Sequence, residues 1–397
     1  MVDADLADPV HDADPFPLFD RLRSIGPVVH SERHRGWLAV GHEAVVDGLR
    51  ASWLSSDRVP TFERMASRRP AAFGAVVDVL RGWMVFRDPP EHTILREPVR
   101  RAFTPRRVAD LRDAIEEIAD ELLDAMPRGS TAFGLQAAYA KPLPALVIAQ
   151  LLGVPATDRD EFARWSDQLA TVVFSAEGGG TGDRAAIAAR HFTDYFTALA
   201  EERRRRPSDD LISALVQASE VDPADLVGAC TLLLFAGHET TAGLIANGTA
   251  LLLEHADQRE RLHADPSLWP SAVDELLRRA SPAKTMVRKA QEDRTWFGAD
   301  VRAGDTVYLV LLAASNDPTV FPAPDRLDVG RQPNPHLGFG WGIHHCLGAA
   351  LARLETEVAL RRLFDRFPHL RLAGPVRWGG GVLGRVALLP DALTGDG

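Results

Sequence analysis

The sequence predicts a mainly α-helical protein folded as one large domain over residues 1–397. Of the 397 residues, 46% are hydrophobic, which is enough for an extensive core. No Ser/Gly/Pro-rich linker and no internal repeat divides the chain. Many segments place apolar residues at helical spacing, whereas few short segments have the character of strands. These three observations together favour a single helical domain.

Near the N-terminus, Val28–His30 and Trp37–Val40 are β-rich runs separated by a polar turn, so they predict a hairpin. A helix is expected to follow at His42–Arg50. The stretch Trp53–Phe86 has little periodicity and several turn residues, which indicates a long loop with short helices. Loops of that length are often functional.

Helical periodicity accounts for most of the middle of the chain. The predicted helices are Pro90–Phe103, Val108–Met126, Leu143–Leu152, Glu161–Phe174 and Arg184–Arg203. Gly178–Gly182 joins the last two. The four arginines at Arg203–Arg206 are more typical of a solvated helix end than of a nucleic-acid site.

The longest predicted helix begins at Asp222, which can cap it, with Pro223 at the tolerated first position. No proline interrupts the next thirty or so residues, which corresponds to roughly 45 Å of helix. His238 and Glu239 split its apolar run in the middle, so we expect no membrane span.

Composition restricts the partners and the compartment. The formal net charge of −10 argues against nucleic acid, because binding phosphates needs concentrated positive charge. Two cysteines, Cys230 and Cys346, make no disulfide framework, and the N-terminal residues lack the pattern of a secretion signal. A cytoplasmic protein is therefore predicted.

A glycine-rich loop leads into a predicted helix, and we place Cys346 in the first turn of that helix. Free backbone N–H groups at a helix start favour an anion, so the loop suits a thiolate. A lone cysteine is more often a small buried hydrophobe. The loop nevertheless resembles the haem-ligand signature of the cytochrome P-450 superfamily, which it matches at Phe339, Gly340, Gly342, His344, Cys346 and Gly348. The resemblance implies that Cys346 ligates haem iron and that Phe339, Gly340, His344 and Gly348 contact the cofactor.

A second motif occupies the middle of the long helix. Thr240 lies four residues after Ala236, so its hydroxyl could bond back to that carbonyl and loosen the helix. An apolar helix with Gly and Thr is by itself more often ordinary packing. The segment resembles the family's oxygen-binding signature, which implies catalytic roles in proton delivery for Glu239 and Thr240, with Ala236 and Gly237 close to the cofactor.

Glu275 and Arg278, three residues apart, are neighbours on one helix face. Such a pair is usually exposed and weak. Its position between the long helix and Cys346 resembles the family's structural pair, which implies a scaffold role. Leu327–Pro335 resembles the loop that packs on this pair, and either Arg326 or Arg331 could complete the network.

Burying the two propionates of a haem requires cationic donors. His92 and Arg96, four residues apart on one predicted helix, resemble the family's propionate-binding pair. Arg288, in a strand-like segment after Pro282, and His344 occupy the other matching positions.

The resemblance implies the mostly helical family fold with a small β-rich lobe and haem b between the long helix and the cysteine loop. It implies a monooxygenase that uses dioxygen and two electrons. No fused reductase is visible, so ferredoxin, ferredoxin reductase and NAD(P)H are the expected electron source. An acidic ferredoxin could dock on a basic patch of Arg100, Arg101, Arg106, Arg107 and Arg353.

The sequence gives little information about the substrate. By resemblance, the pocket draws on Trp53–Phe86, Gly178–Gly182, Leu232–Ala236, Ala283–Val287 and Gly380–Leu383. These segments are largely apolar and favour a hydrophobic or aromatic natural product, either free or held by a carrier protein. Two alternatives remain open: oxidative coupling or peroxide-driven chemistry, and a haem protein that binds or senses a ligand without turnover.

Overall fold

The computed structural model describes residues 4–127, 132–158, 161–162, 164–166, 168–169, 182–217 and 221–393. Most of this part of the chain is helical. It divides into two compact units, of which the first comprises Met1–Ser55, Arg112–Leu143 and Thr240–Gly397, and the second Ser56–Leu111 and Pro144–Glu239. The expectation of one domain over residues 1–397 stays a prediction.

Most helices of the described residues lie close to the predicted ones, but the predicted helix Val108–Met126 is broken at Asp110 and Leu111 into two. In chain order they are α1 (Pro9–Ala13), α2 (Phe16–Ile25), α3 (His42–Arg50), α4 (Val59–Arg68), α5 (Pro70–Arg81), α6 (Glu91–Ala102), α7 (Pro105–Ala109), α8 (Arg112–Asp124), α9 (Pro142–Leu152), α10 (Gly182–Arg205), α11 (Leu211–Gln217), α12 (Pro223–Glu254), α13 (Ala256–Ala264), α14 (Trp269–Ala280), α15 (Leu311–Ala314) and α16 (Ala349–Arg366). The predicted helix Glu161–Phe174 and joint Gly178–Gly182 lie largely outside the described residues.

The strands found among the described residues all belong to the first unit. They are β1 (Val28–Ser31), β2 (Gly36–Ala39), β3 (Leu54–Ser55), β4 (Met286–Ala290), β5 (Arg294–Trp296), β6 (Ala299–Val301), β7 (Thr306–Leu309), β8 (Arg371–Leu372), β9 (Arg377–Gly379), β10 (Val386–Leu388) and β11 (Ala392–Leu393). The predicted hairpin is confirmed, with Val28 opposite Ala39 and Ser31 opposite Gly36. It extends into a five-stranded sheet of order β1-β2-β7-β4-β3, in which only β2 and β7 are parallel.

Apolar clusters lie against this sheet. One includes Trp53, Trp296 and Leu309, and another includes Phe19 and Leu38, all nearly inaccessible to solvent. Burial of apolar side chains on this scale is the main stabilising contribution to a fold. The sheet and α3 are therefore held together by buried apolar side chains, and the chain that follows β7 starts from this packed region.

The N-terminal segment is tied to the same unit by a buried ion pair. The Lys284 ammonium, 1% exposed, donates to Asp12 Oδ1 at 2.7 Å and to the Leu6 carbonyl at 2.7 Å. Burial lowers the pKa of Lys284, and the bond to Asp12 opposes that change. The Arg385 guanidinium donates to the Asp12 carbonyl at 2.8 Å. Residues far apart in sequence thus hold the segment in place.

The prediction of a long loop at Trp53–Phe86 is wrong in extent, because α4 and α5 occupy most of it. Pro60 and Pro70, which read as turn residues, sit at the helix starts, where proline is tolerated. In α5 the buried residues Ala72, Phe73, Val76, Val77 and Leu80 recur at helical spacing. The apolar period therefore outweighs the turn residues.

The long helix is confirmed as α12, which runs unbroken through 32 residues. Asp222 caps it by accepting a hydrogen bond from the Ala224 N–H at 2.8 Å. It is long and apolar enough to cross a membrane, but 78% of its most apolar window is buried inside the protein. It is a core helix, and its residues belong to both compact units.

Candidate functional site

The cysteine loop has the backbone that its glycines predict. Gly340 and Gly342 have φ of +67° and +73°, a region that residues with a Cβ rarely adopt. The Cys346 N–H donates to the Phe339 carbonyl at 2.9 Å, and the Gly340 N–H to the Leu337 carbonyl at 2.8 Å. These bonds fold the chain back on itself around Cys346.

Helix α3 contacts one side of this loop. A Cβ at Gly342 would lie 3.0 Å from the Leu49 carbonyl oxygen, so the two backbones touch. The Arg50 guanidinium lies 5.3 Å from the centre of the Trp341 ring. His42 Nε2 lies 3.1 Å from the Pro335 carbonyl oxygen. The loop therefore rests on a helix that is itself packed on the sheet.

The two cysteines lie in different environments. Cys230 is completely buried, and its burial, together with the charge of Asp210, raises the pKa of its thiol, so this side chain stays protonated. Cys346 is only half-buried. It precedes the first residue of α16 by three positions, so its predicted place in the first helical turn is wrong. Gly348 caps the helix and leaves the cysteine in the turn before it.

The Glu275 carboxylate is the centre of a buried network. Arg278 donates to its two oxygens at 2.7 and 2.9 Å, and both side chains are completely inaccessible. Arg331 Nε donates at 3.0 Å, and the Asp328 N–H at 2.9 Å. The alternative left open by the sequence is thereby resolved: Arg331 supplies the second guanidinium, while Arg326 supplies a carbonyl that accepts from Arg278 at 3.1 Å.

Sequence reasoning missed two amides in this network. Asn334 Nδ2 donates to Glu275 at 3.2 Å, and Asn316 accepts from Arg278 at 2.9 Å. Asn316 Nδ2 also donates to the Arg278 carbonyl at 2.9 Å. An asparagine just after a buried helix such as α15 was the available signal, because buried amides need partners.

The four predicted propionate donors divide between the two units. His92 and Arg96 lie on α6 in the second unit, and Arg288 on β4 and His344 in the cysteine loop lie in the first. His92 and Arg288 are 2% and 8% exposed. Burial lowers the pKa of His92, the charge of Arg96 lowers it further, and Asp88 opposes both. The lowered pKa leaves His92 neutral beside the Arg96 guanidinium, and an anion bound next to the pair would favour the charged imidazolium.

The middle of α12 carries an accessible face between two buried stretches of the helix. Ala236 and Thr240 are exposed, whereas Leu232 and Thr241 are buried. Gly237 is half-buried, and a Cβ there would lie 3.3 Å from Ile148. Glu239 is half-buried, with a carboxylate oxygen 3.8 Å from His238 Nδ1. The predicted loosening at Thr240 does not interrupt the helix.

A groove of about 550 Å³ between α8 and α16 lies apart from these residues. It is lined by charged side chains that pair across it, such as Arg112 with Glu357 at 3.1 Å. None of the predicted site residues lines it.

The types of the predicted site residues fit a haem on three counts. A thiol free of disulfide bonding lies half-buried on a backbone-fixed loop. Arg288 is a buried guanidinium and His92 a buried imidazole, and both can donate to a carboxylate. On α12 the small residue Ala236 is exposed and Gly237 is half-buried. Thiolate ligation and charge-assisted bonds to propionates are the chemistry that such a cofactor requires.

Comparison with known proteins identifies the class. The profile of the family described as Cytochrome P450 matches residues 267–373. The chain is 36% identical over 370 residues to the polyketide biosynthesis cytochrome P450 PksS of Bacillus subtilis, covering 90% of each chain. It is 41% identical over 368 residues to the vitamin D(3) 25-hydroxylase of Pseudonocardia autotrophica, covering 90% of this chain and 88% of the relative.

Solved structures of cytochromes P450 are also similar to this chain. The crystal structure of P450BioI in complex with an acyl carrier protein ligated to hexadec-9Z-enoic acid has a TM-score of 0.89 and 33% identity, covering 97% of this chain and 99% of the other. The myxobacterial CYP267B1 in complex with myristic acid has a TM-score of 0.88 and 40% identity, covering 99% of both chains. The chain belongs to the cytochrome P450 family. It has the cytochrome P450 fold and is a haem monooxygenase.

The buried network predicts the effect of Glu275→Gln. Loss of the carboxylate charge leaves Arg278 and Arg331 without their counter-ion in the protein interior, so the protein should lose about 3–5 kcal/mol of stability. Urea unfolding followed by circular dichroism measures this. The control is Glu357→Gln, whose partner Arg112 is 43% exposed and which should cost less than about 1 kcal/mol. Equal losses in the two variants would contradict the prediction.

Proposed function

We propose that Cys346 is the iron ligand of this monooxygenase. The observation that carries the proposal is the contrast between the two thiols, because Cys230 is buried as a neutral group and Cys346 is half-buried in a loop fixed by Gly340 and Gly342. Bound haem supplies oxidising chemistry, and a thiolate ligand favours O–O cleavage. Phe339 and Gly348 flank the ligand, and His344 lies two residues before it.

The propionates are held by cationic groups in this proposal. Arg288 and His92 contribute buried donors, and Arg96 and His344 contribute half-buried ones. A buried carboxylate needs charge-assisted hydrogen bonds, which guanidinium and imidazolium groups supply. These residues thereby set the orientation of the cofactor.

Thr240 and Glu239 deliver protons in the proposed reaction. The Thr240 hydroxyl, exposed on α12, donates a proton, and the adjacent Glu239 carboxylate exchanges protons with solvent. Ala236 and Gly237 leave room beside the helix for dioxygen because their side chains are small. The protein thus positions dioxygen and supplies protons, whereas the oxidising chemistry belongs to the cofactor.

The proposed substrate is a hydrophobic or aromatic natural product. Relatives are named for such chemistry, including pentalenic acid synthase of Streptomyces avermitilis and mycinamicin IV hydroxylase/epoxidase of Micromonospora griseorubida. The P450BioI structure contains an acyl carrier protein, which supports a carrier-bound substrate as well as a free one. Screening a library for the spin-state shift on binding, with acyl carrier thioesters beside free acids and alcohols, separates the two forms.

Oxidative bond formation is a second candidate reaction. One structural neighbour, CxnD, is named for C–S bond formation, with a TM-score of 0.85 and 36% identity. The proton-delivery residues Glu239 and Thr240 favour hydroxylation over that alternative. Product analysis under ¹⁸O₂ distinguishes them, because hydroxylation places the label in the product.

Ferredoxin, ferredoxin reductase and NAD(P)H are the proposed electron source, in the cytoplasm. The net positive charge around the proposed docking arginines is smaller than the sequence implies, because acidic side chains pair with them. Glu97 accepts from Arg100 at 2.8 Å and from Arg101 at 3.0 Å, and this bonding lowers the pKa of Glu97 to about 2. Arg107 pairs with Asp209 at 3.3 Å. The patch therefore keeps a smaller excess of positive charge for an acidic partner.

Cys346→Ala tests the ligand assignment directly. The reduced, carbon-monoxide-bound protein should lose the red-shifted Soret band that thiolate ligation gives, because no sulfur then reaches the iron. Cys230→Ser is the matched control and should keep the band, since that thiol is buried and neutral. Persistence of the band in Cys346→Ala would overturn the assignment.

Thr240→Ala tests proton delivery. Without the hydroxyl, the product formed per NAD(P)H consumed should fall about 100-fold, with hydrogen peroxide released instead. Thr240→Ser restores a hydroxyl and should recover most of the product. The role is excluded if the alanine variant forms product as efficiently as the original enzyme.

Charge reversal of Arg100 and Arg101 to glutamate tests the docking patch. Ferredoxin-driven turnover should slow about tenfold at low ionic strength, because electrostatic steering of the acidic partner is lost. The substrate spin-state shift should not change. Reversal of Arg204 and Arg206, which are exposed at the end of α10, is the control. Similar rates in all three proteins would reject the patch.

A further inference from the structure

Asp274, the residue before Glu275 on α14, connects two parts of the chain that flank Cys346. Its Oδ1 accepts from Arg353 Nε at 2.7 Å and lies 3.1 Å from His336 Nε2. His336 comes ten residues before Cys346 and Arg353 seven residues after it. One carboxylate oxygen thus joins the start of the loop to the helix that follows it.

The hydrogen-bonding roles of the two His336 ring nitrogens follow from their neighbours. The Gly338 N–H donates to His336 Nδ1 at 3.1 Å, so Nδ1 carries a lone pair and the ring proton is on Nε2. The Nε2–H group therefore donates to Asp274 Oδ1 at 3.1 Å. At Gly338 an added Cβ would lie 3.3 Å from Leu277, one turn along α14 from Asp274. The ring holds the loop backbone against this helix.

Arg353 acts on the other part of the loop. Its guanidinium carbon lies 4.5 Å from the centre of the Phe339 ring, a cation–π contact. The carbonyl of Phe339 accepts the Cys346 N–H at 2.9 Å. The Arg353 side chain is 40% exposed, so burial alone does not hold it over the ring. The ion pair with Asp274 supplies that restraint. The aromatic residue that contacts the cysteine is therefore held through Arg353.

Asp274 is charged in this arrangement. Burial acts to raise its pKa, but the hydrogen bonds from His336 and Arg353 outweigh that effect and the pKa lies below its ordinary value. The carboxylate balances the guanidinium and accepts from both donors at neutral pH.

We propose that Asp274 is a positioning residue for the cysteine loop: it holds Arg353 on Phe339 and His336 on Gly338, and so fixes the backbone that presents the Cys346 thiolate. The inference rests on the proposed role of Cys346 as the iron ligand. Asp274 acts through other groups, as residues that orient metal ligands do.

The test measures how fast the reduced, carbon-monoxide-bound holoenzyme loses its red-shifted Soret band well below its thermal midpoint. Asp274→Ala should lose the band about tenfold faster. Removing a group that orients a metal ligand lowers metal affinity or activity by at least about that factor. Asp274→Asn, which keeps the shape, should lie between that variant and the original enzyme. Asp365→Ala is the control, because Asp365 lies on α16 and is exposed, at 3.7 Å from Arg361.

A double-mutant cycle separates positioning from general stability. If Asp274 acts through Arg353, the double variant Asp274→Ala/Arg353→Ala should lose the band more slowly than the product of the two single effects predicts. Fully multiplicative effects would overturn the proposal. So would a lower thermal midpoint in Asp274→Ala with an unchanged rate of band loss, because that result assigns a structural role only.

The outcomes distinguish this inference from the ligand assignment. If the original enzyme lacks the red-shifted band, or Cys346→Ala keeps it, the ligand assignment fails and the positioning role fails with it. If the band depends on Cys346 but Asp274→Ala loses it at the original rate, the positioning role alone is wrong.

Discussion

The first unit depends on one buried carboxylate. Glu275 is completely inaccessible, yet it accepts from two guanidinium groups, one amide and one backbone N–H. A charge in that position is tolerated only when its partners surround it. The chain after α15 must therefore curl around α14 so that Arg331 and Asn334 reach Glu275, and this path leads directly into the cysteine loop.

The loop is restrained from three directions. Helix α14 holds its start through Asp274 and His336, α16 holds Phe339 through Arg353, and α3 lies against Gly342. Glycines with positive φ let the backbone turn within this small space. A side chain that must meet a metal at a fixed position requires such support, because a displacement of about 1 Å is costly in catalysis.

Local patterns predicted much of this organisation. Capping at Asp222 and the apolar period gave α12 correctly, and the spacing of Glu275 and Arg278 placed them on one face. Non-local contacts were beyond the sequence. Spacing cannot distinguish Arg331 from Arg326, because the choice depends on how an irregular segment turns back on α14. The helices within Trp53–Phe86 were missed because prolines at helix starts resemble turns. For the site, residue types and spacing named Cys346, but Asp274 and His336 carry no local signal.

The order of the chain has a consequence for biosynthesis. Strand β2 pairs with β7, so Gly36 lies opposite Thr306, and Asp12 is neutralised by Lys284. An emerging polypeptide cannot form these contacts until Lys284 and Thr306 have left the ribosome, long after Asp12 and Gly36. Until then Leu38 and neighbouring apolar residues lack their partners from Val310 and Leu312. The unit that carries Cys346 thus assembles late, because closing such large loops is slow.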